Sequence, residues 1–174
     1  MQQPVLTITH AGMKDIARLA EMEKICFPPR EAASEDTLAE RVRTFPQHFY
    51  LLWEDGTLVS FINGFVSDWE VLTDAMFSHP HMHRENGDWQ MLFGVNTLPE
   101  KRGKGYASRL IRRMQQDTAA QGRKGIILTC KAHRIPFYRR LGFVMDGISS
   151  SAHGGALWYQ MTWRCDTVGG ESFE

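Results

Sequence analysis

Between residues 89 and 111 the chain passes from a long apolar stretch, WQMLFGVNTL, through Pro99 to two closely spaced glycines, Gly103 and Gly105, and then into a helical repeat. No other segment constrains the fold so tightly. The apolar run bounded by proline suits a central strand, Trp89 to Leu98, buried on both faces. Beyond the glycines, Ala107, Leu110, Ile111, Met114 and Thr118 mark one face of a helix. Glycine lets a backbone approach a ligand closely, the first N–H groups of a helix have no internal partner, and the helix dipole favours negative charge there. A turn of this kind binds phosphate, and Arg102 and Lys104 add positive charge to it. The same residues also suit a plain tight connection with solvated basic side chains. The G-x-G spacing is neither the Rossmann nor the Walker pattern.

The remaining chain points to one ordinary globular domain. Its 174 residues are long enough to bury a substantial core, and the hydrophobic fraction of 43% and charged fraction of 23% exclude disordered, collagen-like and coiled-coil classes. Twenty basic and twenty acidic side chains cancel, so no global field draws the protein to nucleic acid or anionic lipid. Cys26, Cys130 and Cys165 are widely spaced in apolar or aromatic surroundings, which reads as reduced thiols. With no signal-peptide pattern and no run of about 18 apolar residues, a cytoplasmic location is expected, without membrane or nucleic-acid partners. The basic residues Arg109, Arg112 and Arg113 read as a solvated helix face. Residues 1–166 are expected to form the domain and 167–174 a flexible tail.

Alternation from Val5 to His10 predicts a strand, and Ile16, Leu19, Ala20 and Ile25 predict a helix after it. Ser34 reads as the N-cap of a second helix ending near Phe45 and Pro46, with Glu35 and Asp36 in its first turn. Phe49 to Trp53 and Thr57 to Ser67 should pair antiparallel about Asp55-Gly56. A short helix is expected over Val71 to Phe77, followed by the polar loop HPHMHRENGD.

The string Arg102-Gly103-Lys104-Gly105-Tyr106-Ala107 fits [QR]-x-x-G-x-[GA] after a buried strand and resembles the acetyl-CoA pyrophosphate loop of the GNAT superfamily of N-acetyltransferases. Further on, GIILTC followed by HRIPFYRRLGF resembles the family's tyrosine-bearing helix. More narrowly, that segment together with CFPPREAAS near the start resembles the serotonin (arylalkylamine) N-acetyltransferase branch and its microbial relatives. The resemblance implies the GNAT α/β fold: a mixed, mostly antiparallel sheet of six or seven strands, splayed at the central strand, with helices on both faces. Acetyl-CoA would enter the splay as cosubstrate. The backbone of Phe93, Gly94 and Val95 would pair with pantetheine, and amides from Arg102 to Ala107 would hold the pyrophosphate.

The implied activity is direct attack of a small primary amine on acetyl-CoA in a ternary complex, the amine being an arylalkylamine. Tyr138 matches the tyrosine beside the CoA sulfur, where its phenol would protonate the departing thiolate; the alternative is a ring that only packs its helix on the sheet. Where the serotonin enzyme has two strand histidines, this chain has Trp89 and Met91, so a base must come from elsewhere. His79, His81, His83, Asp68, Glu70 and Asp88 are candidates, each weighed against a solvated loop role. The three histidines also invite a metal reading, but without cysteine or H-E-x-x-H partners no metal is expected. Cys130, inside an apolar run, reads as a buried hydrophobe rather than a nucleophile. Lys131 stands where many relatives have asparagine.

Phe27, Pro28 and Pro29, with Trp158 and Tyr159, match the regions that hold a flat aromatic amine, or are simply core. Glu31, Glu35 and Glu70 would suit the cationic ends of polyamines, an alternative substrate class. A CoA-binding regulatory module of weak activity is a second alternative. The protein is expected to be a monomer or homodimer.

Overall fold

The computed structural model describes residues 1–165. Residue 166 and the predicted tail, 167–174, lie outside the described residues. Strand β1 (Leu6–Thr9) precedes helix α1 (Ile16–Cys26), then α2 (Glu35–Thr44). Ser34 caps α2 as its spacing predicts, its Oγ accepting the Thr37 N–H at 3.1 Å. Strands β2 (Phe49–Glu54) and β3 (Thr57–Asn63) form the expected hairpin, with Asp55 at φ 47° and Gly56 at φ 80°. Positive φ at both turn residues matches the twist of the flanking strands.

Two predicted strands prove to be interrupted. The Thr57–Ser67 run breaks at Gly64 and Phe65 into β3 and a short β4 (Val66–Ser67). The Trp89–Leu98 run breaks at Phe93 into β5 (Trp89–Leu92) and β6 (Gly94–Thr97). The breaks face each other, with the Phe93 N–H donating to the Asn63 carbonyl at 2.8 Å and Met91 N–H to Phe65 at 2.7 Å. A Cβ at Gly64 would stand 1.8 Å from the Met91 carbonyl oxygen, so only glycine fits this crossing. Helix α3 covers Asp74–Ser78, later than the predicted 71–77, because its N-cap Thr73 is extended and Leu72 before it has its side chain fully buried and its N–H on Gln160 Oε1.

The chain continues through α4 (Tyr106–Ala120), β7 (Gly125–Cys130), α5 (Ile135–Arg140), β8 (Val144–Ile148) and β9 (Tyr159–Arg164). The strands form a four-stranded sheet, β1-β2-β3-β6, and a five-stranded sheet, β4-β5-β7-β9-β8. Every pairing is antiparallel except β5 with β7. That parallel register ends at Leu92 opposite Leu128; beyond it β6 pairs only with β3, and Thr129 and Cys130 only with β9. The strands therefore splay at Phe93. Helices α1 and α2 pack over one face, with Leu19, Leu38, Val42 and Phe45 against Phe61 and Phe65. Helices α4 and α5 cover the other, with Leu110, Met114 and Tyr138 against Ile62 and Leu128. This is the expected GNAT α/β fold.

Candidate active site

A cavity of about 800 Å³ fills the splay, bounded by Leu92–Val95 on one side and Leu128–Cys130 on the other. The glycine turn forms one end. Gly103 and Gly105 take φ of 78° and 79°, and a Cβ at either would meet open space, so glycine is needed for the left-handed backbone and not for room. No side chain caps α4, which leaves its first-turn N–H groups free for an anion. Tyr106 turns its ring into the core and donates from its hydroxyl to Glu54 Oε1 at 2.6 Å, so it offers only backbone to the cavity. Glu54 also pairs with Lys101 at 2.5 Å; Lys101 first, and Tyr106 next, hold its carboxyl below the usual carboxylate range.

Of the residues expected here, Phe93, Gly94, Val95, Arg102, Gly103, Gly105, Tyr106 and Ala107 border the cavity. Lys104 does not: its exposed side chain leaves the positive charge to Lys101, Arg102, Arg134 and Arg140, three of which the sequence reading missed.

Tyr138 lies on the cavity wall, with its ring against Phe137 and Phe143. Burial, reinforced by nearby Cys130, raises its phenol far above the ordinary value, so it is a proton-bearing group at any working pH. Burial also pushes the Cys130 thiol up to about 11, which makes it a poor nucleophile, as its apolar run suggested.

The opposite end is aromatic. Phe77 stacks on the His153 ring at 5.0 Å and 6°, and Phe93 lies 5.0 Å from Phe77. Trp158 Nε1 donates to the His153 carbonyl, Lys131 Nζ sits 5.6 Å from the Trp158 ring, and Lys131 pairs with Glu31 at 2.6 Å. Phe27, Pro28 and Trp158 border the cavity; Pro29 and Tyr159 do not. Tyr159 is taken up in β9, opposite Cys130 and Ile148.

None of the six candidate bases reaches the cavity, nor does Glu35. His79 and His81 are exposed, Glu70 pairs with Arg164, Asp88 with Lys124, and Asp68 accepts the Asp88 N–H. His83 joins His48 and Glu85 in a group with three converging potential metal ligands. Its hydrogen bonds, however, are already assigned. His83 Nδ1 accepts the Val66 N–H, so its Nε2 carries a hydrogen, which it donates to Glu85 Oε2. Gln90 Nε2 donates to three carbonyls, which turns Gln90 Oε1 toward His48 Nδ1 and makes that nitrogen a donor. His48 Nε2 stands 2.8 Å from the same Glu85 oxygen, and Arg123 pairs with the other. His83 has no lone pair left for an ion, and the group reads as a hydrogen-bonded brace.

Sequence reasoning also missed two charged residues of the cavity wall, Glu23 and Arg41. Both are buried, at 5% and 4% exposure. Their signal was spacing: Ile16, Leu19, Ala20, Glu23 and Leu38, Arg41, Val42, Phe45 each follow i, i+3, i+4, i+7, so each charge occupies a slot in an apolar stripe. Glu23 Oε1 accepts the Ala33 N–H, while burial raises its carboxyl against the opposing pull of that amide, Arg41 and nearby Asn96.

The family model described as Acetyltransferase (GNAT) family matches residues 16–143. No curated protein matches the chain in sequence. Among solved structures, the loading GNATL domain of CurA from Lyngbya majuscula superposes with a TM-score of 0.82 at 17% identity, over 92% of this chain and 98% of that one. The ribosomal-protein-S18-alanine N-acetyltransferase from Escherichia coli gives 0.70 at 16% identity, over 98% and 99%. PaiA N-acetyltransferase from Thermoplasma acidophilum, solved with coenzyme A, gives 0.69 at 15% identity, over 92% and 99%. At these identities the likeness speaks for the fold.

Proposed function

Since the chain belongs to the acetyltransferase (GNAT) family and is an N-acyltransferase, we propose that it carries the acetyl group of acetyl-CoA to a small arylalkylamine by direct attack in a ternary complex. The observation that carries this reading is the single cavity in the strand splay, with an uncapped glycine turn and basic side chains at one end and an aromatic wall at the other. In this reading residues 1–166 act as one catalytic domain.

The amides of residues 102–107 hold the pyrophosphate, with Lys101, Arg102, Arg134 and Arg140 neutralising phosphate charge. The pantetheine arm lies past Phe93, Gly94 and Val95, along the edge of β6 turned away from β3. The amine must be neutral to attack the thioester, and Glu23 is the carboxylate placed to take its proton. Burial in the cavity wall leaves Glu23 more basic than an exposed glutamate. Tyr138 donates to the departing thiolate. Because its phenol is a weaker acid than a free one, its contribution is a hydrogen bond that strengthens as charge grows on sulfur.

The test is CoA thiol release from acetyl-CoA with tryptamine, phenylethylamine, spermidine, an aminoglycoside and a lysine peptide, with Tyr138→Phe as control. Preference for the aromatic amines is expected, with kcat lowered by roughly 10²-fold or more in the variant and acetyl-CoA affinity kept. Turnover only with spermidine or peptide would discard the arylalkylamine. Silence across the panel with CoA still bound would leave a CoA-binding module.

A further inference from the structure

Six buried side-chain polar atoms among the described residues have no hydrogen-bond partner, and five of them belong to Glu23, Arg41, Asn63 and Asn96. These residues come from α1, α2, β3 and β6, and none is more than 5% exposed. Orphaned polar atoms are costly in a native interior, and such a concentration beside a cavity calls for a ligand.

Hydrogen bonds fix the orientation of Arg41 and Asn63. Arg41 gives Nη1 to Asn63 Oδ1 at 3.0 Å and Nη2 to the Phe77 carbonyl at 2.9 Å, while Nε has no acceptor. Because Asn63 Oδ1 faces Arg41, Asn63 Nδ2 points away from it, toward Gly94. The place where a Cβ of Gly94 would stand is 3.5 Å from Asn63 Nδ2 and 3.5 Å from Asn96 Nδ2. Glu23, Arg41 and Gly94 border the cavity at the splay, and Asn63 and Asn96 stand behind them. Arg41 stays cationic at neutral pH even though burial pulls it down to about 10. It lies over the Phe93 ring, at 4.9 Å, and makes no ion pair with Glu23. A carboxylate and a guanidinium held apart in one wall match a ligand that bears both charges.

We propose that the acceptor amine carries a carboxylate on the carbon beside its nitrogen, making it an aromatic α-amino acid, with Arg41, held from behind by Asn63, donating to that carboxylate while Glu23, with Asn96 beside it, faces the amine. This rests on the acetyl-transfer reading above and specifies its substrate. The aromatic side chain lies against Phe77, Phe93 and Trp158. A simple arylalkylamine fills the same wall and leaves Arg41 without an anion.

Isothermal titration into protein saturated with CoA, which binds without turnover, compares phenylalanine with phenylethylamine. Phenylalanine should bind roughly ten- to hundredfold tighter, the range that hydrogen bonds to a charged group supply. Arg41→Met should abolish the difference. Should that variant fail to fold, Arg41→Lys keeps the charge but loses the planar fork, so phenylalanine binding should weaken about tenfold relative to phenylethylamine binding. Equal or tighter binding of phenylethylamine, no measurable phenylalanine binding, or equal weakening of both ligands in Arg41→Lys would overturn the proposal. Absence of thiol release with every acceptor would instead remove the acetyl-transfer reading, and the binding comparison would still decide this one.

Discussion

Glu23 shows how one side chain changes character with its surroundings. In the sequence it is one of many helix charges. In the fold it is buried with one oxygen on the Ala33 amide and the other unpartnered. As a base it must be ionised, and burial raises its carboxyl, so the acidic limb of the kcat profile should lie above the ordinary carboxylate range, near 4.5, with activity increasing as pH rises through it. Glu23→Gln keeps an oxygen for Ala33 and should lower kcat by roughly 10²–10⁴-fold while removing that limb; a variant with unchanged kcat and profile would assign the base elsewhere. The glycine turn was legible because its function lies in consecutive residues. Glu23, Arg41, Asn63 and Asn96 were not, because four separate elements bring them together, although two of them betrayed themselves by standing in apolar stripes.

Among the elements, the turn from β6 into α4 joins local geometry most directly to binding. Both its glycines are left-handed and neither is crowded. Gly105→Ala should therefore cost about 1–2 kcal/mol of backbone strain without a clash. Some of that strain is relieved by turning the loop amides, so the expected result is a raised KM for acetyl-CoA with kcat nearly kept and Tm a few degrees lower. An unchanged KM would show that the amides do not hold the cosubstrate. The same element shows where pattern reading fails. Trp89–Leu98 reads as one strand because it is mostly apolar and holds no turn signal before Pro99, yet it is interrupted at Phe93, whose N–H bonds to the distant Asn63 carbonyl, which no local pattern records. Tyr159 failed likewise: an aromatic residue next to Trp158 looks like pocket wall until strand register sets it in β9 between Cys130 and Ile148.

For the molecule as a whole, the brace of His48, His83, Glu85 and Arg123 joins the segment before β2, the loop before β5 and the turn after α4. Burial first, and His48 next, lower the His83 imidazole below its ordinary 6.5, with Glu85 opposing them. The unfolded chain therefore binds a proton that folded His83 refuses, and stability should fall as pH drops below about 6.5. Glu85, held below the usual carboxylate range despite burial by its bonds to His48 and His83, adds a second loss as pH falls through its own lowered value. Thermal melts should be level between about pH 8 and 7 and decline toward pH 5, and His83→Gln should flatten the first part of that decline. A slope that the variant leaves intact would place the proton uptake elsewhere.

The splay also bears on how such a protein avoids its own kind. An unpaired strand edge is a template on which another chain can add, and proteins usually blunt such edges at the sheet border. Here the edge of β6 and the end of β7 face each other inside the molecule, with α1, α4 and α5 around them. The backbone groups that make a binding site here thus lie within the molecule and not along a sheet border, where another chain would find its foothold.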